Sequence, residues 1–286
     1  MSPRAAARPS TASAPSRATD RPTLLMCRPT HYTIAYEINP WMSLRRQVAH
    51  RTALRQWRAL YEVLTKRLGV RVRLLPPVAG LPDLVFTANA GLVVGRTLIR
   101  SNFRFPERQG EEPVIERYFH RKGFEIVTLP RRHNFEGEGD ALSLGENCFY
   151  GFRFRSDAKA HERLAKILKR RVLPLELVDR RFYHLDTCFC PLNAESALWF
   201  PSAFDRYGRE VIRAYVRDPI AVSLADARRF VCNAVVIGRD IVLHAGGSAR
   251  LKHELAGRGF RIHEVDLSQF LKAGGSAKCL VLKLAG

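Results

Sequence analysis

The feature that most constrains the fold is a recurring order of short segments: two apolar strand-like runs, a helical pattern and a third apolar run. This order returns at intervals of roughly fifty residues. Gly91–Val94 and Thr97–Arg100 are two such runs, and they precede a helical pattern over residues 112–122 and a strand-like run over 124–129. No repeat of this length is visible in the residues themselves. The pattern therefore predicts a structural repeat of ββαβ units in an α/β fold.

Four further elements bear on the site. A helix is predicted over residues 44–68, because apolar residues recur at helical spacing until Gly69. A strand is predicted to begin at Leu84, and another is predicted to run from His184 to Pro191. The last strand is predicted to begin at Cys279, after a loop of small residues.

Composition limits the class of protein. The chain has 286 residues, of which 46% are apolar, so it is long enough to bury a full core. No run approaches the length of about eighteen apolar residues that a transmembrane helix needs. Residues 1–20 are rich in Ala, Ser, Pro and Arg and lack the apolar segment of a secretory signal. They predict a disordered basic tail, with a transit peptide as the less favoured alternative, followed by one catalytic domain over residues 21–286.

Cysteine usage predicts a reducing compartment. The spacing of the cysteines resembles neither a disulfide framework nor a zinc ribbon, and most of them lie in apolar runs. We therefore expect free thiols, no metal and a cytoplasmic location. The six cysteines are Cys27, Cys148, Cys188, Cys190, Cys232 and Cys279.

The net charge of +20 suggests nucleic acid as a partner, but the distribution of the charge argues against it. The basic residues are scattered in pairs, and most pairs fall at predicted helix ends or in turns. We therefore favour a solvated arginine-rich surface over a nucleic-acid interface. A cationic substrate would be repelled by such a surface at long range, so its binding site has to be acidic.

The small-residue loop 273–278 delivers Cys279 to its strand. Glycines let the backbone turn sharply, and Lys278 would favour the thiolate, which is the nucleophilic form of cysteine. The alternative is a buried strand cysteine behind an ordinary turn, since free cysteines are often fully buried. A nucleophile also needs a base and an orienting group elsewhere in the chain.

Three other stretches supply polar groups. Glu136 and Asp140 flank two glycines, which would let several carboxylates approach one cation; the alternative is an acidic turn. His184 and Asp186 would share one face of a strand, by alternation; the alternative is a structural pair. Asn89 interrupts an apolar strand pair, and a buried amide has to be hydrogen-bonded or face a ligand.

Together these groups suit attack on a guanidinium carbon. That carbon is a poor electrophile unless carboxylates hold the cation through several N–H groups. A thiolate can then add to the carbon, and an imidazole can protonate the departing amine.

Four segments also resemble the guanidine-modifying (pentein, amidinotransferase-like) superfamily, and within it most closely the arginine dihydrolases, with dimethylarginine dimethylaminohydrolases and arginine deiminases as relatives. The similarity extends from about residue 25 to about residue 284. The segments are residues 86–91, 135–140, 182–191 and 273–280.

The resemblance implies a five-bladed propeller of ββαβ units with the site on the central axis. It implies Cys279 as the nucleophile, His184 as the acid/base and Glu136 as the carboxylate on the guanidinium, with Asp186 beside it. The implied substrate contacts are Asn39, Phe86, Asn89, Arg108, Asp140, Arg155 and Asp186.

Three of these assignments have particular consequences. Arg108 would be the natural partner for an amino-acid carboxylate. Arg155 is less securely matched because residues 150–156 carry an insertion, and Arg153 is an alternative. Arginine deiminases have Asp where this chain has Asn89, and this difference favours the dihydrolase.

The implied reaction is hydrolysis of free L-arginine to ornithine, carbon dioxide and two ammonia, with no cofactor and no metal. Dimethylarginine hydrolysis, arginine deimination to citrulline and amidino transfer are alternatives, as is a non-catalytic basic binding protein. The expected partner is a small guanidine, with neither membrane nor nucleic acid, and self-association is left open. No second domain is expected after Gly286, so the second activity of a bifunctional relative would be absent.

Overall fold

The structure, a computed structural model, describes residues 22–284. The disordered tail predicted for residues 1–20 lies outside this range. The described residues form fifteen strands in five three-stranded sheets. The strands are β1 (Thr23–Cys27), β2 (Arg71–Leu75), β3 (Gly91–Val94), β4 (Thr97–Arg100), β5 (Glu125–Thr128), β6 (Ala141–Leu144), β7 (Asn147–Phe152), β8 (Arg171–Glu176), β9 (Phe189–Pro191), β10 (Ser196–Trp199), β11 (Asp218–Ala221), β12 (Val235–Ile237), β13 (Asp240–His244), β14 (Arg261–Val265) and β15 (Leu282–Leu284).

Eight α-helical segments accompany these strands over the same range. They are α1 (His50–Glu62), α2 (Pro106–Gln109), α3 (Glu111–Arg121), α4 (Ala160–Leu168), α5 (Arg206–Tyr215), α6 (Leu224–Arg228), α7 (Ala249–Gly257) and α8 (Ser268–Leu271). A π-helical turn, Val63–Arg67, extends α1. Within the described range no helix is long and apolar enough to cross a lipid bilayer.

Every sheet has the same topology. Its first strand pairs antiparallel with the second, and the second pairs parallel with the third after a helical crossover, as in β3–β4–α3–β5. A parallel pair needs such a crossover because its strands run in the same direction. The predicted repeat of ββαβ units is therefore present.

One sheet joins the two ends of the described chain. The last strand, β15, pairs antiparallel with β1 in the register Thr23↔Leu284, and β1 pairs parallel with β2 on its other side. This unit is a circular permutation of the other four, and it closes the set of five.

The structure corrects several sequence-based boundaries. The strand expected to begin at Leu84 is replaced by two 3₁₀ turns, Pro82–Val85 and Thr87–Ala90. The strand expected from His184 begins only at Phe189, after a 3₁₀ turn at Leu185–Thr187. The helix expected from residue 44 begins at His50. Helix α5 and strand β11 were not predicted.

The turns that precede the first strands pack backbone against backbone. Gly137 has φ of +61°, and a Cβ atom at this position would lie 2.6 Å from the Gly91 carbonyl oxygen and 2.8 Å from that of Ala88. Gly95, in the β3–β4 hairpin loop, has a similar φ of +56°, but a Cβ atom at this position would have no other atom within 4 Å. The two glycines thus share a conformation and differ in crowding.

This difference in crowding predicts that alanine is less destabilising at Gly95 than at Gly137. We expect Gly95→Ala to lower the free energy of unfolding by about 1–2 kcal/mol, the cost of a left-handed alanine. Gly137→Ala should cost about 2–5 kcal/mol, because the neighbouring turn must also move. Urea unfolding followed by circular dichroism measures both values, and equal losses would contradict the packing described here.

Candidate active site

Five turns, one before the first strand of each sheet, form a closed ring. Each turn contacts the next one around the ring. Gly137 packs on the Ala88 carbonyl, and the Asp140 carboxylate accepts a hydrogen bond from Leu185 N. The remaining contacts are hydrogen bonds from the Asn233 side chain to Asp186 O, from Lys278 N to Asn233 O and from Ala88 N to Cys279 O. The residues of chemical interest lie in this ring. The turns are Thr87–Ala90, Gly137–Gly139, Leu185–Thr187, residues 230–234 and residues 276–281.

Cys279 lies in the last of these turns, three residues before β15, and not at the start of the strand as predicted. Its side chain is buried, and its sulfur contacts two groups. The Sγ atom accepts a hydrogen bond from Asn233 Nδ2 at 3.1 Å and lies 3.4 Å from Asp186 Oδ2. Burial, and then the charge of Asp186, raise the pKa of the Cys279 thiol well above its usual value.

Lys278 is held by a carboxylate, which limits its effect on the thiol. Its Nζ donates to Glu138 Oε2 at 2.7 Å, so the ammonium is already paired with a carboxylate. Its charge does favour the thiolate of Cys279, as the sequence suggested, but burial and Asp186 outweigh this effect, and the pKa of the thiol is raised.

His184 pairs with Glu136 rather than with Asp186. His184 Nε2 lies 2.8 Å from Glu136 Oε2, and both side chains are completely or almost completely buried. Burial lowers the pKa of His184 to about 4, so the ring is neutral at physiological pH. Burial alone would raise the pKa of Glu136, but Arg155 and His184 hold it below its usual range. We infer that the neutral ring donates its Nε2 hydrogen to an ionised Glu136.

Asp186 faces the thiol instead. The predicted shared strand face with His184 does not form, because the 3₁₀ turn at Leu185–Thr187 rotates the two side chains apart. Burial raises the pKa of Asp186 to about 7, although Lys278 acts in the opposite direction. Its Oδ1 has no hydrogen-bond partner among residues 22–284. Asp186 is therefore a titratable group in contact with the sulfur.

Asn89 and Arg108 form a second polar cluster. Arg108 Nη1 donates to Asn89 Oδ1 at 2.8 Å, while its Nε and Nη2 hold the two carboxylate oxygens of Glu111 at 2.7 and 2.8 Å. The amide orientation of Asn89 is thereby fixed. Its buried Nδ2 has no protein partner within the described chain. An unpaired buried N–H is costly, so this position suits a ligand acceptor.

A narrow cavity connects Cys279 with Asn89 and Arg108, whereas His184, Glu136 and Asp186 are not among its wall residues. Its walls include the predicted residues Asn39, Phe86, Asn89, Arg108 and Arg155, together with Asp83 and Tyr183, which the sequence analysis missed. Asp140 lies behind the wall, where its carboxylate accepts from Ser156 Oγ at 2.6 Å and from Leu185 N at 3.0 Å. The geometry makes Asp140 a residue that fixes two loops.

Of the two alternative arginines, Arg155 is the one beside the cavity. Its Nη1 donates to Glu136 Oε2 at 3.0 Å, and its guanidinium stacks on the rings of Phe105 and Tyr183. Arg153 is half-exposed and pairs with Glu176 on the surface.

Asn233 is a further residue that the sequence analysis missed, although a repeated motif pointed to it. The segment Phe86–Ala90 reads Phe-Thr-Ala-Asn-Ala, and residues 230–234 read Phe-Val-Cys-Asn-Ala. Both segments end immediately before a first strand, β3 and β12 respectively. The shared Phe-x-x-Asn-Ala places a buried amide at the same point of two structural units.

Comparison with known proteins identifies the family. The profile described as "N,N dimethylarginine dimethylhydrolase, eukaryotic" matches residues 30–285. The chain belongs to this family. The resemblance inferred from the four motifs is thus confirmed.

Two groups of curated relatives are similar over most of this chain. The bifunctional arginine dihydrolase/ornithine cyclodeaminase AgrE of Nostoc sp. is 45% identical over 93% of this chain, which corresponds to 38% of the relative. The N(G),N(G)-dimethylarginine dimethylaminohydrolase of Mycobacterium tuberculosis is 40% identical over 94% of this chain and 88% of the relative. The chain thus spans less than two fifths of the bifunctional protein.

The fold comparison agrees. The N-terminal domain of ArgZ, a cyanobacterial arginine dihydrolase solved with bound substrate, superposes with a TM-score of 0.88 at 43% identity, covering 93% of this chain and 98% of that one. A citrulline complex of the Pseudomonas aeruginosa dimethylarginine dimethylaminohydrolase has the same fold at 20% identity, with a TM-score of 0.78 and coverage of 92% and 99%. The predicted five-unit pentein fold is confirmed.

The contact between Asp186 and the sulfur predicts how the thiol titrates. Asp186→Asn removes a negative charge 3.4 Å from Sγ, so we expect the pKa of Cys279 to fall by about one unit. Iodoacetamide alkylation of Cys279, followed across pH by mass spectrometry, should then be about threefold faster below the midpoint, because tenfold more thiolate is partly offset by its lower nucleophilicity. The matched control is Asp226→Asn, a buried carboxylate that instead accepts from Ser223 and Ser248. An unchanged profile in Asp186→Asn would contradict the geometry.

Proposed function

We propose that the protein is an arginine dihydrolase that cleaves the guanidinium of free L-arginine through a thiouronium on Cys279. Two waters are consumed, and the products are ornithine, carbon dioxide and two ammonia. In this proposal Cys279 is the nucleophile, His184 is the acid/base, and Glu136 and Asp186 hold the cation.

The charges around the thiol support a cationic substrate. Glu136 is ionised and Asp186 can ionise near neutral pH, and both are buried close to His184 or Cys279. Buried carboxylates need a partner, and a guanidinium supplies several N–H donors in one plane. Binding of the cation would also lower the pKa of Asp186 and of the thiol, because an opposite charge favours each ionised form.

Arg155 gives a reason why the substrate should be a free amino acid. In the resting site Arg155 already pairs with Glu136 Oε2, so a substrate guanidinium competes with it for that oxygen. A substrate with its own α-carboxylate offers Arg155 a new anionic partner when it is displaced. Asp83, whose buried Oδ1 has no partner among the described residues, is suited to the α-ammonium group.

The role of Arg108 differs from the one that the sequence predicted. Three of its four observed side-chain bonds go to Glu111 and the Asp83 carbonyl, so its charge is largely compensated. We propose that Arg108 orients Asn89 first and contributes to the α-carboxylate through its remaining N–H.

The chemical sequence follows from these positions. The Cys279 thiol gives its proton to Asp186, the nearest acceptor, and the thiolate adds to the guanidinium carbon. The proton taken from the thiol passes from Asp186 to His184, whose ring then protonates the departing nitrogen. The C–N bond breaks, and the first ammonia leaves a thiouronium on the sulfur and a neutral His184. Water, deprotonated by His184, then replaces the sulfur and gives a neutral ureido group. A second round of attack and hydrolysis yields the second ammonia, carbon dioxide and ornithine.

The unpaired amide nitrogen of Asn89 favours a dihydrolase over a deiminase. A second attack requires that the neutral ureido compound remain bound, and the unpaired Asn89 Nδ2 can donate to its oxygen. A carboxylate at this position would lack that donor and would favour the cation. The 45% identity with AgrE supports the same choice.

Dimethylarginine hydrolysis is the second candidate. It is favoured by the matching family profile and by the Mycobacterium tuberculosis relative, of which this chain covers 88%. Arginine deimination to citrulline requires only the first half of the same chemistry. A non-catalytic binding protein is disfavoured, because it has no need for a buried thiol in contact with Asp186 or for a buried imidazole paired with Glu136.

Other expectations stay predictions. They are the absence of any cofactor, metal or nucleic-acid partner, self-association, a cytoplasmic location, and a tail at residues 1–20 that is dispensable for catalysis. Within residues 22–284 no group of three or more His, Cys, Asp or Glu side chains is arranged to hold a metal.

The nucleophile can be tested directly. Cys279→Ser should abolish turnover while the circular dichroism spectrum and thermal midpoint stay close to those of the wild type, because a hydroxyl is a far weaker nucleophile at neutral pH. Cys188→Ser, at a buried thiol whose hydrogen bonds go to backbone carbonyls, is the matched control and should retain activity. Substantial activity in a folded Cys279→Ser protein would exclude covalent catalysis.

The reaction is tested by its products and by Asn89→Asp. The wild type should convert L-arginine to ornithine with twice as much ammonia, measured by amino-acid chromatography and an ammonia assay. Asn89→Asp should shift the products towards citrulline at a lower rate, since losing one specific hydrogen bond costs about 1–3 kcal/mol and lets the ureido compound escape. Accumulation of citrulline by the wild type, or turnover of dimethylarginine alone, would rule out the dihydrolase while leaving the family unaffected.

A further inference from the structure

The side chain of Asn233 hydrogen-bonds the sulfur of Cys279, which also contacts Asp186 and the backbone of Ser276. It is completely buried. Its Nδ2 donates to Cys279 Sγ and to the Asp186 carbonyl, both at 3.1 Å. Its Oδ1 accepts from the backbone N–H of Cys279 at 3.1 Å and of Ser276 at 3.0 Å. One amide thus contacts the sulfur, the backbone of its loop and the Asp186 turn.

The hydrogen-bonding capacity of this amide is fully used. It has two N–H donors and two oxygen lone pairs, and each has a partner. Asn89, the residue at the equivalent position of Phe-x-x-Asn-Ala, lines the cavity, and its amide nitrogen has no hydrogen-bond partner among residues 22–284. The same structural position therefore has two roles. The Asn89 amide is available to hydrogen-bond a ligand, whereas the Asn233 amide hydrogen-bonds Cys279.

We propose that Asn233 is a further catalytic residue, whose amide N–H stabilises the thiolate of Cys279 while its amide oxygen fixes the nucleophile loop. The chemical part of this inference rests on the proposed function, since it assigns Asn233 to the first step of the hydrolysis. Its contact with the sulfur does not depend on which guanidine is the substrate.

Stabilisation of the thiolate offsets an unfavourable electrostatic environment. Cys279 is buried beside Asp186, so forming a second negative charge there is unfavourable, and a neutral donor compensates without attracting another ion. Lys278 and the ring of Tyr183 also lie near this sulfur, but the Lys278 ammonium is paired with Glu138. Lowering the pKa of a thiol by one unit yields about tenfold more thiolate at the same pH below the pKa. It reduces the intrinsic nucleophilicity by only about threefold, so the net effect is an acceleration.

The test measures the thiol without any substrate. Asn233→Ala and Asn233→Ser are alkylated with iodoacetamide over a range of pH, and modification of Cys279 is followed by mass spectrometry. Serine is shorter and has a single hydroxyl, so it cannot serve both the sulfur and the loop backbone. We expect the midpoint to move upwards by about one pH unit in both variants, with about threefold slower alkylation below it. Asn89→Ala is the matched control and should keep the wild-type midpoint.

A measurement on the wild type keeps the inference testable if the variants do not fold. The side-chain amide signal of Asn233, in isotope-labelled protein, should shift with the same midpoint as the alkylation of Cys279, because its donor hydrogen faces the ionising sulfur. An amide signal that does not respond, or a thiol midpoint unchanged in folded Asn233 variants, would overturn the proposal. Failure of the protein to hydrolyse arginine would instead refute the proposed function and leave these results unaffected.

Discussion

The closed ring of turns at the ends of the first strands is the constraint on which the site depends. Each turn is held by its neighbours through backbone contacts or buried side-chain bonds, and the chain closes the ring by pairing its last strand with its first. Each sheet contributes only a few polar groups, and none of the five units contains a complete site. A change in one turn, such as added volume at Gly137, is therefore transmitted to the neighbouring catalytic groups.

Burial gives these groups their chemical character. His184 is kept neutral, Asp186 titrates near neutral pH, and the thiol of Cys279 is hard to ionise until a positive charge arrives. Glu136 stays ionised only because Arg155 and His184 pair with it. Such a thiol is poorly reactive at rest, and in the proposed mechanism a cationic substrate supplies the charge that activates it. This arrangement limits side reactions of a nucleophilic thiol in the absence of substrate.

Much of this was predictable from the sequence, and the limits have physical causes. The unit order and most strands follow from apolar periodicity, and the long motifs around Cys279, His184 and Glu136 indicated the family. The direction in which His184 and Asp186 point was mispredicted because a 3₁₀ turn breaks the two-residue alternation of a strand. The repeated Phe-x-x-Asn-Ala marks a buried amide at residue 233, but its role arises only when distant turns meet. The role of Asp83 arises in the same way, without any local signal.

The central claim is that Cys279 becomes covalently attached to the guanidino carbon of the substrate. Rapid quenching of the enzyme during turnover of L-arginine, followed by intact-protein and peptide mass spectrometry, tests it most directly. The account predicts an adduct on Cys279 with the mass of arginine less one ammonia, absent from Cys279→Ser. Turnover with unmodified Cys279 at every time point, or an adduct on a different residue, would contradict the account.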